Sequence, residues 1–285
     1  MREKIQDTFD GVRELRRSGI QSDLEEAAKQ GPSLILVLPD GTKKEVSSEA
    51  IKKVVDKVDK NKDHLGVNIV DKNPHNKNKP NPAGPSRRDP EDYIIDPWNS
   101  GYPYSACGRF HIKRSCSMTL IGRRLALTAM HCGTTGKVYP SFYDKKVKGR
   151  STKVVAAYHD ERYTPNVDGW ELFDWVILVL DWNIGDNFGY MGVAANVKTE
   201  WVGDPAFRNV AYPFEIMEQK RPDAYGAPGS SGSSLWFEDE DKNAIVVSVV
   251  SSLNVTAKTV NVAGHVGPSE LAERALYAAT EWPAE

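Results

Sequence analysis

A serine with glycines close on either side stands in the stretch Gly229-Ser230-Ser231-Gly232-Ser233. Glycine allows positive φ and a close approach of the backbone to a reacting carbonyl, so this spacing suits an exposed nucleophile on a tight turn. In isolation the same residues read as an ordinary flexible turn. Two further segments shift that balance. His131 stands near the end of Leu127-Thr128-Ala129-Met130-His131-Cys132, and Asp174 heads the apolar run Trp175-Val176-Ile177-Leu178-Val179-Leu180. A serine hydroxyl is a poor nucleophile until an imidazole takes its proton. The imidazole needs a carboxylate to fix its tautomer and to stabilise the imidazolium. Two backbone N–H groups must face the developing oxyanion, and in this turn they would be the amides of Gly229 and Ser231. Singly, each residue has a plain structural reading: a histidine after a strand, an acid at a turn, a Gly/Ser loop. The order His, Asp, Ser, each at the edge of a β-prone run, points to acyl transfer. His131 is then the general base, Asp174 its orienter and Ser231 the nucleophile.

The elements that must position these residues lie in the second part of the chain. From Pro97 onward, short β-prone runs recur at Ser117–Ile121, Leu125–Thr128, Val154–Tyr158, Trp175–Leu180, Val210–Tyr212, Ser234–Phe237 and Ile245–Ser251. Turn residues separate them, which predicts an all-β barrel or sandwich. Pro268-Ser269-Glu270 opens one helix through Trp282, with Leu271, Ala275, Leu276 and Ala279 toward the core. All seven tryptophans lie in 96–285, so the main core is expected there.

The first part reads differently. Ile5, Phe9, Val12 and Leu15 predict an amphipathic helix over 3–18, and Ser22-Asp23-Leu24-Glu25 a short capped helix after it. Ser33–Leu38 and Thr42–Val46 flank the turn Pro39-Asp40-Gly41 as a hairpin. Ser48 then caps a helix through Lys60, with Ile51, Val54, Val55 and Val58 on one face. Residues 1–70 thus form a small α/β module, read as a pro-segment or accessory domain, or else as a module that binds a protein partner or inhibits the rest. Residues 71–96 are a Pro/Lys/Asn-rich linker containing the exposed pair Arg87-Arg88. Residues 97–285 form the third segment.

A net charge of −2 gives no reason to expect nucleic acid as a partner. No apolar run approaches the ~18 residues of a membrane span. The N-terminal residues show no signal peptide, so the expectation is either a cytoplasmic protein or one whose leader has been removed. Three cysteines, Cys107, Cys116 and Cys132, are too few for a disulfide scaffold. His64, His75, His111, His159 and His265 lack metal-ligand spacing and read as surface or structural, so no metal or cofactor is expected.

The segments Ser115–Ile121 and Leu127–Cys132 resemble the chymotrypsin-fold, trypsin-like serine proteases. In that family a cysteine stands fifteen residues before the catalytic histidine and another directly follows it, as Cys116 and Cys132 do around His131. The resemblance covers roughly 97–285 and implies two antiparallel β-barrels with a C-terminal helix, and serine endopeptidase activity on protein or peptide substrates. It also implies a triad of His131, Asp174 and Ser231 and a Cys116–Cys132 disulfide. That pairing suggests a secreted family, against the missing signal peptide. The run Asp174–Gly192, and Ser233 two after the nucleophile, are similar to the bacterial glutamyl endopeptidase branch more than to the trypsins. Trypsin-type zymogens place an acid where this chain has Ser230, so activation by that ion pair is not expected. Ile245–Ser251 carries no histidine for a glutamate pocket. Tyr225 stands where trypsins keep their pocket acid, with Asp223 two residues away, and the expected P1 residue is apolar or small. The alternative is a catalytically silent protease-fold binding module. An esterase-type hydrolase is disfavoured, because those enzymes run Ser, Asp, His.

Overall fold

The computed structural model describes residues 33–57, 100–111, 116–143, 146–147, 151–194, 208–212, 229–239, 241–254, 259–263 and 270–283. The expected helices over 3–18 and 22–31, the linker with Arg87-Arg88, and Asp223 and Tyr225 lie outside them. The strands are β1 (Leu34–Val37), β2 (Lys43–Val46), β3 (Cys107–Phe110), β4 (Cys116–Gly122), β5 (Leu125–Thr128), β6 (Lys137–Pro140), β7 (Phe142–Tyr143), β8 (Lys146–Val147), β9 (Thr152–Asp160) and β10 (Val176–Leu180). They continue with β11 (Gly192–Val193), β12 (Arg208–Asn209), β13 (Ser234–Glu238), β14 (Ala244–Asn254) and β15 (Thr259–Ala263). A C-terminal helix spans Glu270–Glu281.

Strands β10, β5, β4, β3, β6 and β9 pair in that order, and β9 pairs back onto β10 to close an antiparallel barrel. Closure removes the sheet edges, and the C-terminal helix packs against β10 in the same core, so that this strand has two buried faces. This is why β10, Val-Ile-Leu-Val-Leu, is apolar throughout and fully buried rather than alternating. The second sheet runs β11-β14-β13-β12, and β15 pairs with the later part of β14, Val249–Asn254, on the same side as β11. Its longest strand, β14, ends at the turn-bearing side of the barrel. Two expectations shift in position: a strand at Val210–Tyr212 is found at Arg208–Asn209, and β9 extends two residues beyond Val154–Tyr158 at each end. Strand β3 escaped sequence reading because Cys-Gly-Arg-Phe shows neither alternation nor β-branching. Gly108 is required there, since a Cβ would meet the backbone of Tyr139 and Pro140 on β6.

The expected N-terminal hairpin forms as β1 and β2, but it is not set apart from the barrel. Strand β1 pairs antiparallel with β9, Leu34 opposite Asp160 and Val37 opposite Ala157. The following helix is Ser48–Val55, and its cap is Ser47 rather than Ser48. Ser47 has extended backbone, and its hydroxyl accepts from the Ala50 amide at 3.3 Å. Ile51 and Val55 face the C-terminal helix and share one core with Leu34 and the barrel strands. Leu34→Ala is therefore expected to destabilise the whole barrel by about 2–5 kcal/mol. The check is the urea midpoint, which should fall with an unchanged slope.

A buried ion cluster joins the same elements. Asp160, at the end of β9, accepts a two-pronged pair from Arg162 at 2.8 and 2.7 Å. Arg162 also reaches Glu270 at 2.8 Å, and Arg274 stands 3.4 Å from Glu270. Two cations thus face two anions at the start of the C-terminal helix, which offsets the desolvation of each. Beside them His159 is buried, its Nδ1 hydrogen donating to the Asp160 carbonyl at 2.8 Å. Burial holds the His159 imidazole below its usual range. Above about pH 6.5 the folded and unfolded chains both hold it neutral. Below that the unfolded chain takes up a proton that the native chain refuses, so stability falls with falling pH. Urea midpoints measured downward from neutral pH should show this loss, and His159→Gln should flatten it.

Cys107 is a free, buried thiol, and burial pushes it up to about 12, which keeps it protonated. Among the described residues no helix is long and apolar enough to cross a membrane.

Candidate active site

Strands β5 and β10 are antiparallel neighbours with Thr128 opposite Val176. A residue just past the end of β5 and one just before β10 therefore meet at the same rim. His131 sits in the short 3-10 turn Met130–Cys132, and Asp174 follows the turn Trp170–Phe173. Asp174 is fully buried. One carboxylate oxygen, Oδ1, accepts from the His131 backbone N–H at 2.8 Å. The other, Oδ2, lies 2.6 Å from His131 Nδ1 and accepts from the Ser251 hydroxyl at 2.5 Å. A carboxylate only accepts, so Nδ1 carries the proton and Nε2 presents a lone pair. The imidazole is one-third exposed, and Trp170 meets it edge-on at 6.4 Å, with Tyr163 stacked edge-on to Trp170 behind.

The Gly229–Ser233 turn is held from both sheets. The Ser117 N–H donates to the Ser231 carbonyl at 2.8 Å, and the Ser117 hydroxyl to the Gly229 carbonyl at 2.8 Å. From β14, the Val250 carbonyl accepts from Gly232 N–H and the Val250 N–H donates to the Ser233 carbonyl, both at 2.8 Å. The Ser230 carbonyl accepts from Ser233 N–H at 3.0 Å and from the Ser233 hydroxyl at 2.7 Å. Because the peptide is planar and trans, pinning that carbonyl inward turns the Ser231 N–H the opposite way, outward. Asn209 on β12 fixes the Ser233 hydroxyl at 3.0 Å.

Gly232 has φ +82, and a Cβ there would run into Thr128 Oγ1 and the Ser117 carbonyl. Gly232→Ala is expected to lower stability by about 2–4 kcal/mol, from the left-handed backbone and the overpacking together. Thermal melting checks this, with any hydrolytic activity expected to fall alongside it.

The structure thus brings His131, Asp174, Ser231 and Gly229 to one rim between the barrel and the second sheet. The link between Ser231 and Asp174 is Ser251, whose hydroxyl donates to Asp174 while its carbonyl accepts from Ser231 Oγ at 3.4 Å. Among the described residues no hydrogen bond joins Ser231 Oγ to His131 Nε2. Catalytic hydrogen bonds are often long or misaligned in a free enzyme and tighten on substrate binding. Cys116 and Cys132 form a disulfide, with Cα atoms 6.2 Å apart, and Cys132 Sγ lies 3.8 Å from His131 Nε2.

Ser251, Ser117, Ser233 and Asn209 were not assigned roles from sequence. Ser251 lies at the end of the apolar run Ile245–Ser251, where a serine in a buried strand needs a partner. That was the available signal. Ser117 and Asn209 carried none, because their partners are remote in sequence.

No protein-family model matches the chain, and no curated protein matches it in sequence. Among solved structures, it is similar to a Glu endopeptidase in complex with MPD at 21% identity, covering 64% of this chain and 92% of that one, with a TM-score of 0.48. It is also similar to the protease Anisep from Arthrobacter nicotinovorans at 15% identity, covering 62% and 97%, with a TM-score of 0.42. A mutant of human heparin binding protein aligns at 16% identity, covering 64% and 94%, with a TM-score of 0.43. The chain's own strand order, a closed six-stranded antiparallel barrel followed by a second sheet and a C-terminal helix, is that of the chymotrypsin fold.

Proposed function

We propose that the chain is a serine endopeptidase. The observation that carries the reading is the buried Asp174 bonded to both the backbone and Nδ1 of His131, which leaves Nε2 as the acceptor, with the Ser231 hydroxyl tied to the same carboxylate through Ser251. Ser231 Oγ adds to the scissile carbonyl while Nε2 takes its proton. Asp174 stabilises the imidazolium so formed. The outward N–H of Ser231, together with that of Gly229, receives the oxyanion. Collapse of the tetrahedral adduct passes the proton from His131 to the leaving amine and leaves an acyl-Ser231. Water activated by the same imidazole then releases the acid.

A fluorophosphonate probe tests the reading. Covalent labelling of Ser231, located by peptide mass spectrometry, is the expected result, and a digest of a peptide library would show the P1 preference. A chain that neither labels nor cleaves any denatured protein would instead be a silent binding module on the same fold.

A further inference from the structure

We propose that Cys116, Cys132 and His131 bind one zinc ion when the disulfide is reduced, and that this ion blocks the site. Their ligating atoms all lie within 4.8 Å of one another, with Cys132 Sγ 3.8 Å from His131 Nε2. Tetrahedral zinc, with Zn–S near 2.3 Å and Zn–N near 2.0 Å, sets its ligand atoms roughly 3.5–3.8 Å apart. The spacing between Sγ and Nε2 is already of that size. The two sulfurs have to part and Cys116 Sγ has to settle at the same spacing from Nε2, and reduction frees both side chains to move.

The surroundings favour a metal over a loose pair of thiols. Cys116 is held on β4 by pairing with Phe110, and Cys132 by its own 3-10 turn, so neither backbone position depends on the S–S bond alone. Asp174 accepts the Nδ1 hydrogen, which leaves the Nε2 lone pair available to a metal. A carboxylate behind a histidine in this way is the usual support of a zinc ligand. Both cysteines are nearly buried while His131 is one-third exposed, which gives a dry inner wall and an entry path. Three protein ligands leave a fourth position for water.

The chemistry balances simply. A small dithiol gives up two electrons and two protons to the Cys116–Cys132 bond and becomes its own disulfide, leaving two thiols on the chain. Zinc then displaces both thiol protons to solvent, with no change in its oxidation state. Bound at Nε2, it occupies the lone pair that would take the Ser231 proton. The blocking effect therefore rests on the peptidase reading, whereas binding of the ion does not.

The test uses the full chain, reduced with a dithiol, desalted without oxygen and titrated with zinc alone. One zinc per chain is expected in native mass spectra of the reduced protein and none in the oxidised protein. Cobalt should give thiolate-to-metal absorption under the same conditions. Cys116→Ser and Cys132→Ser should each weaken zinc binding by about 100-fold, whereas Cys107→Ser should leave it unchanged. Fluorophosphonate labelling should fall about tenfold or more on adding zinc to the reduced chain and recover with a chelator. The metal site is overturned if the reduced chain binds no more zinc than the oxidised one, or if reduction abolishes its near-ultraviolet circular dichroism. Zinc bound with labelling unchanged overturns the blocking effect. Failure of the oxidised chain to label at all would instead strike the peptidase reading, and the zinc stoichiometry would still stand or fall separately.

Discussion

Replacing Ser231 with alanine is expected to lower kcat by about six orders of magnitude, because the covalent route is lost with the hydroxyl. What survives should be a residual of roughly 10³–10⁴ over the uncatalysed reaction, supplied by binding and by the N–H groups of Gly229 and Ser231. Folding should be little affected, since the turn is held by backbone atoms of residue 231 and its neighbours rather than by its hydroxyl. His131→Ala should cost about as much, and the double variant little more, because the two groups act in one step. Steady-state hydrolysis of the best library peptide, at equal concentrations of folded protein judged by circular dichroism, checks all three variants. Wild-type activity in Ser231→Ala would place the nucleophile elsewhere.

The three segments carrying the proposed chemistry were legible because each lies at the edge of an apolar strand, where burial makes a polar residue conspicuous. Asp174 before Val-Ile-Leu-Val-Leu is the clearest case: an acid joined to a strand buried on both faces has to find a donor. Strands β4, β5, β9, β10, β13 and β14 followed from the same signal, and β5 was placed to the residue, whereas β3 and β6, which complete the barrel, did not. What stayed hidden depends on pairing across long sequence distances. Nothing in Ser33–Leu38 says that β1 will add to β9 more than a hundred residues later. In the fold Leu34 stands opposite Asp160 and is fully buried in the common core, so the pairing is stabilised by apolar burial that involves both ends of the chain. The supporting side chains follow the same rule. Ser117 and Asn209 look like ordinary strand residues until the fold brings the Gly229–Ser233 turn against them.

Asp174→Asn is the sharper test of how the site works, because it preserves shape and changes only the donors and acceptors. The Asp174 site receives a backbone N–H on one side and an imidazole Nδ1 with the Ser251 hydroxyl on the other. The His131 backbone N–H can only donate, so the amide oxygen must turn toward it. The amide NH2 then faces Nδ1, which must become the acceptor, and the ring proton moves to Nε2. The serine-facing nitrogen has lost its lone pair, and a fall in kcat of about 10⁴-fold follows. The Ser251 hydroxyl can rotate to accept from the same NH2, so the fold should survive the change. Ser251→Ala gives the contrast. It removes one donor to Asp174 but leaves the tautomer intact, and a loss of roughly 10- to 100-fold is expected, the worth of one hydrogen bond to a charged group. NMR of the imidazole separates the two outcomes: the Nδ1 proton should persist in Ser251→Ala and move to Nε2 in Asp174→Asn. Equal losses from both substitutions would mean that Asp174 acts through packing at the rim rather than by setting the tautomer of His131.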